Sequence, residues 1–316
     1  MTQDKLTIKG RRTFLASLGA GLCLAATMPR ALASRPGSRL VLLGTAGGPT
    51  PKPNRFPSAY ALVVGDDVYV VDAGNGVAQQ LARAGLGINR VRHVFVTHHH
   101  SDHNADVGTL ALLAWAANPQ VPLTLWGPPP MRAQMAGFRE SARFDIETRT
   151  VDEGRPDFDA MTVVKEIEGD GLLLDDGVVR VRCARNAHPP IRDSYAIRID
   201  APDRSYVFSG DTTYSEAVVA LAKGADVLVH EIMYLPALDA LIASEPNAKT
   251  LREHLIASHS TPEQVGRVAT EAGVKTLVLS HFVPGGPVVD DATWLAAVRP
   301  HFAGDIVIGK DLIEVP

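Results

Sequence analysis

Thr97-His98-His99-His100-Ser101-Asp102-His103 follows directly on the apolar stretch VRHVFV (91–96). In a near-extended turn alternate side chains project to one side, so His98, His100 and Asp102 can share a face. His103, one step further, faces away and can serve a neighbouring ion. Imidazole and carboxylate are the ligands that suit zinc in a catalytic site. Their spacing, at the end of a strand, reads as a metal-binding loop rather than a histidine-rich surface patch.

Working outward, short β-rich runs end at polar or Gly-rich loops. RLVLLG (39–44), YALVVG (60–65), DVYVVDAG (67–74) and VRHVFVTH (91–98) form a first group. VVRVRCAR (178–185), SYAIRID (194–200), SYVFSGD (205–211), ADVLVHE (225–231) and KTLVLSH (275–281) form a second. Helical patterns lie between them: GVAQQLARAGL (76–86), TLALLAWAA (109–117), SEAVVALAKG (215–224) and TPEQVGRVATEAG (261–273). The last has Thr261 as N-cap, Pro262 at the first position and Gly273 near its end. Apolar strands interleaved with amphipathic helices predict an α/β sandwich with buried sheets. Asp72, His98, His188, Asp211, Glu231 and His281 each stand at or just past an apolar run. Side chains from separate strands can therefore converge on one edge of the sandwich. The loop Gly44–Ser58 holds four Pro and three Gly, so it is a shaped surface loop.

The chain has 316 residues, 46% hydrophobic and 21% charged, with two Cys. That composition excludes a disulfide-stapled miniprotein, a collagen-like chain and a predominantly disordered one. A mean hydropathy of +0.04 and a single long apolar run argue against a polytopic membrane protein. Residues 1–33 combine a basic start, the apolar stretch TFLASLGAGLCLAAT and Ala31-Leu32-Ala33, the pattern of a signal peptide cleaved after Ala33. Arg11-Arg12 followed by Thr-Phe-Leu resembles the twin-arginine export signal, which implies a periplasmic or secreted protein. Cleavage takes away Lys5, Lys9, Arg11, Arg12, Arg30 and Asp4, leaving 26 basic against 34 acidic side chains, a formal charge of -8. An acidic protein without a basic stripe repels a phosphate backbone. Cys183 alone survives cleavage, so no intramolecular disulfide is expected.

The HxHxDH run after an apolar strand resembles the metallo-β-lactamase superfamily. The rest of that pattern is present in order, as His188 in Arg-Asn-Ala-His-Pro-Pro, Asp211 in Phe-Ser-Gly-Asp-Thr and His281 in Leu-Ser-His-Phe. The resemblance implies a four-layer αβ/βα sandwich over residues 34–316 with two zinc ions per chain. It assigns His98, His100 and His188 to one zinc and Asp102, His103 and His281 to the other, with Asp211 bridging. His100, rather than a carboxylate at that position, speaks against the iron-based members of the superfamily.

Further stretches are similar to the ribonuclease Z branch: LLGTAGGPTPKPNRFPSAYALV, DAGNGVAQQL, VFSGDTTYSEAVVALAKGADVLVHE, and ASHST before LVLSHF. They imply that Glu231 and His259 form a pair near the leaving group, with Asp102 orienting the nucleophile. The tRNA-processing members carry a basic arm between the HxHxDH run and the next ligand His. Here residues 129–170 hold six basic and ten acidic side chains, the wrong sign for gripping RNA. The expectation is an arylsulfatase-like zinc hydrolase cleaving a small anionic ester, arylsulfate or phosphodiester, with a metal-bound hydroxide. A carbonyl substrate (β-lactam, lactone or thioester) and a non-catalytic metal-binding protein are the alternatives. The partners expected are that ester and the twin-arginine translocation machinery, with a homodimer allowed. Nucleic acid is not expected, nor a membrane anchor once the signal is cleaved. His93, His99, His230, His254 and His301 are assigned structural or surface roles.

Overall fold

The computed structural model describes residues 37–316, and the expected leader, 1–33, lies outside the described residues. One sheet comprises β1 (Ser38–Gly44), β2 (Ala59–Val64), β3 (Asp67–Val71), β4 (Val91–Phe95), β5 (Leu123–Gly127) and β6 (Thr162–Glu166). The other comprises β7 (Gly171–Asp175), β8 (Arg180–Arg185), β9 (Tyr195–Asp200), β10 (Ser205–Phe208), β11 (Val227–Met233), β12 (Thr276–Val283) and β13 (Asp305–Ile308). The C-terminal β14 (Glu314–Val315) returns to edge the first sheet beside β1, giving the order β14-β1-β2-β3-β4-β5-β6. The second sheet simply runs from β13 to β7.

Both sheets are mixed in the same way. Strands β1 to β3 pair antiparallel and β3 to β6 parallel. In the second half β7 to β10 pair antiparallel and β10 to β13 parallel. Each parallel pairing needs a crossover, and the crossovers carry helices that cover the outer faces.

The two-residue period of a strand then sorts its side chains into seams. On β2, Tyr60, Leu62 and Val64 enter the seam between the sheets, meeting Ile197, Tyr206 and Phe208. Ala59, Ala61 and Val63 face the other way, toward Val77, Leu81, Leu110 and Trp115 of the outer helices. The second sheet repeats this, with Val278 inward and Leu277 and Leu279 against Val265, Val268 and Trp294. Three apolar seams between four layers make the αβ/βα sandwich, and strands buried on both faces explain why the runs read as almost continuously hydrophobic.

The helix Pro262–Ala272 is capped as its sequence requires. Thr261 and Gln264 form a reciprocal capping box, and Gly273 closes the other end at φ 64°. This helix fixes the entry to β12 and with it His281. Thr261→Ala is expected to cost about 1 kcal/mol of stability in urea denaturation, with the zinc content of the folded fraction unchanged.

Candidate active site

The seven side chains expected as ligands are all brought together at the carboxyl ends of strands from both sheets. They form two groups that share Asp211: His98, His100, His188 and Asp211, and Asp102, His103, Asp211 and His281. In the first, His98 Nε2 and His188 Nε2 each lie 3.1 Å from His100 Nδ1. That spacing is close to the edge of about 3.3 Å of a tetrahedron with Zn–N bonds of about 2.0–2.1 Å. Asp211 turns Oδ2 toward this group, 3.7 Å from His98 Nε2, and Oδ1 toward the other, 3.2 Å from His103 Nε2 and 3.3 Å from His281 Nε2.

The local geometry differs from the expected alternation. The chain is extended only as far as His100 (φ -79°, ψ 148°) and then enters a helical turn, Ser101–Asn104. Asp102 and His103 therefore reach the second group from a turn of helix, and Asp102 does not share a face with His98 and His100. The carbonyl of His103 accepts the Ala73 amide, and Asp102 Oδ2 accepts the Gly48 amide at 2.8 Å. These bonds seat the turn between two loops.

One residue that sequence reasoning left without a role is Asp72. Its Oδ1 accepts the Thr97 amide at 2.8 Å, and Oδ2 lies 2.7 Å from His103 Nδ1. That carboxylate fixes the imidazole so that Nε2 faces the cluster, the usual arrangement behind a metal-ligating histidine. Its position at the end of an apolar run was the available signal. His98 and His188 are oriented likewise, by Thr97 Oγ1 at 3.0 Å and by the Ser258 carbonyl at 3.0 Å. His254 also departs from its assigned role: it lines the cleft above the centre, with its ring 6.0 Å from that of His100.

The electrostatics of the bare site fit a pair of cations. Burial opposes a charge on His103, yet Asp211, Asp72 and Asp102 hold its imidazole well above the usual value. Its Nε2 and Asp211 Oδ1 have no hydrogen-bond partner although both are buried. Positive charge is demanded there, and a metal would take the proton's place. Burial holds His98 well below the usual imidazole value and brings His100 and His188 down to about 4, so all three present the neutral form that binds metal. Burial works against ionised Asp102 and Asp211, but the neighbouring His103 and His281 keep both well below the carboxylate range.

Beside the second group stands the Glu231–His259 pair. Glu231 Oε1 accepts the amides of Thr212 at 3.0 Å and Ser260 at 3.1 Å and lies 3.2 Å from His259 Nδ1. The His259 ring stacks on His281 with centroids 5.5 Å apart. Burial opposes its charge, but Glu231 raises it to about 9, so it carries a proton at neutral pH.

Comparison with known proteins agrees with this geometry. A β-lactamase superfamily domain matches residues 68–282. Ribonuclease Z of Mycobacterium avium is 32% identical over 279 residues, 87% of this chain and 97% of its own. Ribonuclease Z of Mycobacterium marinum is 31% identical, again over 87% of this chain and 97% of its own. Among solved structures, the metallo-β-lactamase fold protein YhfI from Bacillus subtilis superimposes with a TM-score of 0.67 at 21% identity, covering 89% of this chain and all (100%) of that one. Human tRNase Z, short form, gives 0.65 at 21% identity, covering 88% and 98%. The chain belongs to the metallo-β-lactamase superfamily, as a metal-dependent hydrolase closely related to ribonuclease Z. The two ligand clusters are those of a dinuclear zinc site, as is typical of this fold.

The exclusion of nucleic acid as a partner is overturned by these relatives, which are RNA-cleaving enzymes along nearly their whole length. The charge count misled for a physical reason. Residues 129–170 fold onto the first sheet as the helices Met131–Ser141 and Arg143–Asp152 and the strand β6. None of them lines the cleft above the ligand groups, so their net charge does not describe the surface that a substrate meets there.

Asp72→Asn is expected to weaken one zinc by about 10- to 100-fold in chelator competition and to leave the other at full occupancy. Asp211→Ala is expected to lose both. Metal content by plasma emission spectroscopy checks the pair.

Proposed function

We propose that the chain hydrolyses phosphodiester bonds, RNA among the substrate class, and that it acts after export. The observation carrying the first part is the placement of a buried His259, held by Glu231 and stacked on His281, at the edge of two ligand groups that share Asp211. The ribonuclease Z relatives favour phosphorus over sulfur or a carbonyl carbon as the electrophile. His98, His100, His188 and Asp211 would hold one zinc, and Asp102, His103, Asp211 and His281 the other. A bound zinc pair supplies Lewis acidity and lowers the pKa of water toward neutrality.

The chain's own residues do the rest. Asp102, fixed by the Gly48 amide, orients the attacking water together with Asp211, and the water's proton is lost to solvent. The water oxygen forms the new bond to phosphorus as the bond to the departing alkoxide breaks. His259, with Nδ1 toward Glu231, delivers its proton from Nε2 to that departing oxygen.

His259→Ala is expected to slow esters of poor alkoxide leaving groups by about 10²- to 10⁴-fold, while p-nitrophenyl esters change little. With the wild type, turnover of the alkoxide esters falls as pH rises through about 9, where His259 loses its proton. Equal losses on both ester types would remove His259 as the acid. Faster turnover of p-nitrophenyl sulfate than of bis-p-nitrophenyl phosphate would move the electrophile to sulfur.

The export reading rests on Arg11-Arg12 and the A-x-A site at Ala31–Ala33. In a host with twin-arginine export the mature chain is expected to begin at Ser34 outside the cytoplasm. Replacing both arginines by lysine should retain the precursor inside, as immunoblotting of fractionated cells would show.

A further inference from the structure

Above the metal centre the structure opens into a cleft of about 670 Å³. Its floor is polar, made of His100, Asp102, Asp211, His259 and His281. One wall is not. The helical hairpin formed by Leu238–Ser244 and Leu251–Ser258 turns Leu241, Leu251 and Leu255 toward the cleft, and the end of β12 and the loop after it add Val283 and Val288. On the second helix, Leu251, His254, Leu255 and Ser258 recur at the i, i+3, i+4, i+7 positions of one face. Leu251, His254 and Leu255 of this face line the cavity, and the Ser258 carbonyl meets His188 Nδ1.

Leu241 and Leu251 are only partly buried. Val288 is 59% exposed at the same opening. Apolar surface left bare beside a catalytic floor is what an apolar ligand group covers. Lys52 and Glu245 also line the cleft. On the hairpin the side-chain hydrogen-bonding groups of the lining are Ser244, Glu245 and His254, set among Ala240, Leu241, Ala248, Leu251 and Leu255.

We infer that the apolar wall of the cleft takes a hydrocarbon part of the ester bound at the metal centre, so that binding tightens as that part lengthens. The inference rests on the phosphodiester reading for the chemistry, but the wall itself can be tested without turnover.

The experiment is isothermal calorimetry of the zinc-loaded chain with methyl, butyl and hexyl phosphate. Each added methylene is expected to strengthen binding by up to about fourfold, the value of burying one CH₂. Leu251→Ser and Leu241→Ser should flatten that slope and leave methyl phosphate unchanged. Leu251→Phe, which fills the cleft instead, should weaken hexyl phosphate alone. A flat slope in the wild type overturns the inference. A slope that persists in all three variants overturns it too. Turnover of p-nitrophenyl methyl phosphate separates the two readings. Activity with a flat slope removes the apolar subsite alone, and a steep slope without activity removes the phosphodiester chemistry alone.

Discussion

Charge compensation around Asp211 is the constraint on which the centre depends. Its carboxylate is buried, divides its two oxygens between two sets of imidazoles, and leaves Oδ1 without a hydrogen bond. Burying an ion costs several kcal/mol, about enough to unfold a domain if nothing opposes it. The other buried acids find backbone donors: Thr97 for Asp72, Gly48 for Asp102, Thr212 and Ser260 for Glu231. Asp211 is left to positive charge. Because His98, His100, Asp102 and His103 follow the first sheet and His188, Asp211 and His281 the second, a cation pair there ties the two halves of the sandwich together. Metal affinity and folding are then coupled.

That coupling is also written in the backbone. Asp72 and His281 both sit at positive φ, 60° and 42°, a region that non-glycine residues seldom occupy. Each ends or interrupts a buried strand where the chain must turn sharply to aim a side chain into the cluster. Gly74 allows the same crowding: a Cβ there would lie 2.4 Å from the Asp102 carbonyl oxygen. Strain of this kind persists because the surrounding seams over-determine the conformation.

The strands on both sides of the ligands were legible because they are buried on two faces and so read as apolar runs. The ligand order was legible because histidine and aspartate at strand ends are chemically conspicuous. Asp72 was not assigned, since its job is to hold His103 across 31 residues of sequence and only the fold shows that relation. Strands β5, β6 and β7 escaped notice for another reason: β6 and β7 are edge strands with exposed residues, and β5 is a short run between Pro-containing loops. The hairpin 238–258 is interrupted by Pro246 and Asn247, which hid its apolar face. The net charge of 129–170 is a poor guide to the site because that segment packs on the first sheet and none of it lines the cleft above the metal centre.

The hairpin joins recognition to chemistry. Its second helix carries Leu251 and Leu255 on the apolar wall, and the same helix ends in the Ser258 carbonyl that orients His188 and in His259 itself. The apolar wall, the carbonyl that holds His188 and the backbone that places His259 are therefore parts of one helix and its C-terminal end. The polar floor can be shared by any hydrolase of this fold, since it comes from the ends of the sheet strands. The wall comes from an insertion between β11 and β12, outside the layers that hold the sandwich together. Substrate preference is therefore free to vary on this scaffold with little cost to the metal centre, provided that Ser258 and His259 keep their places.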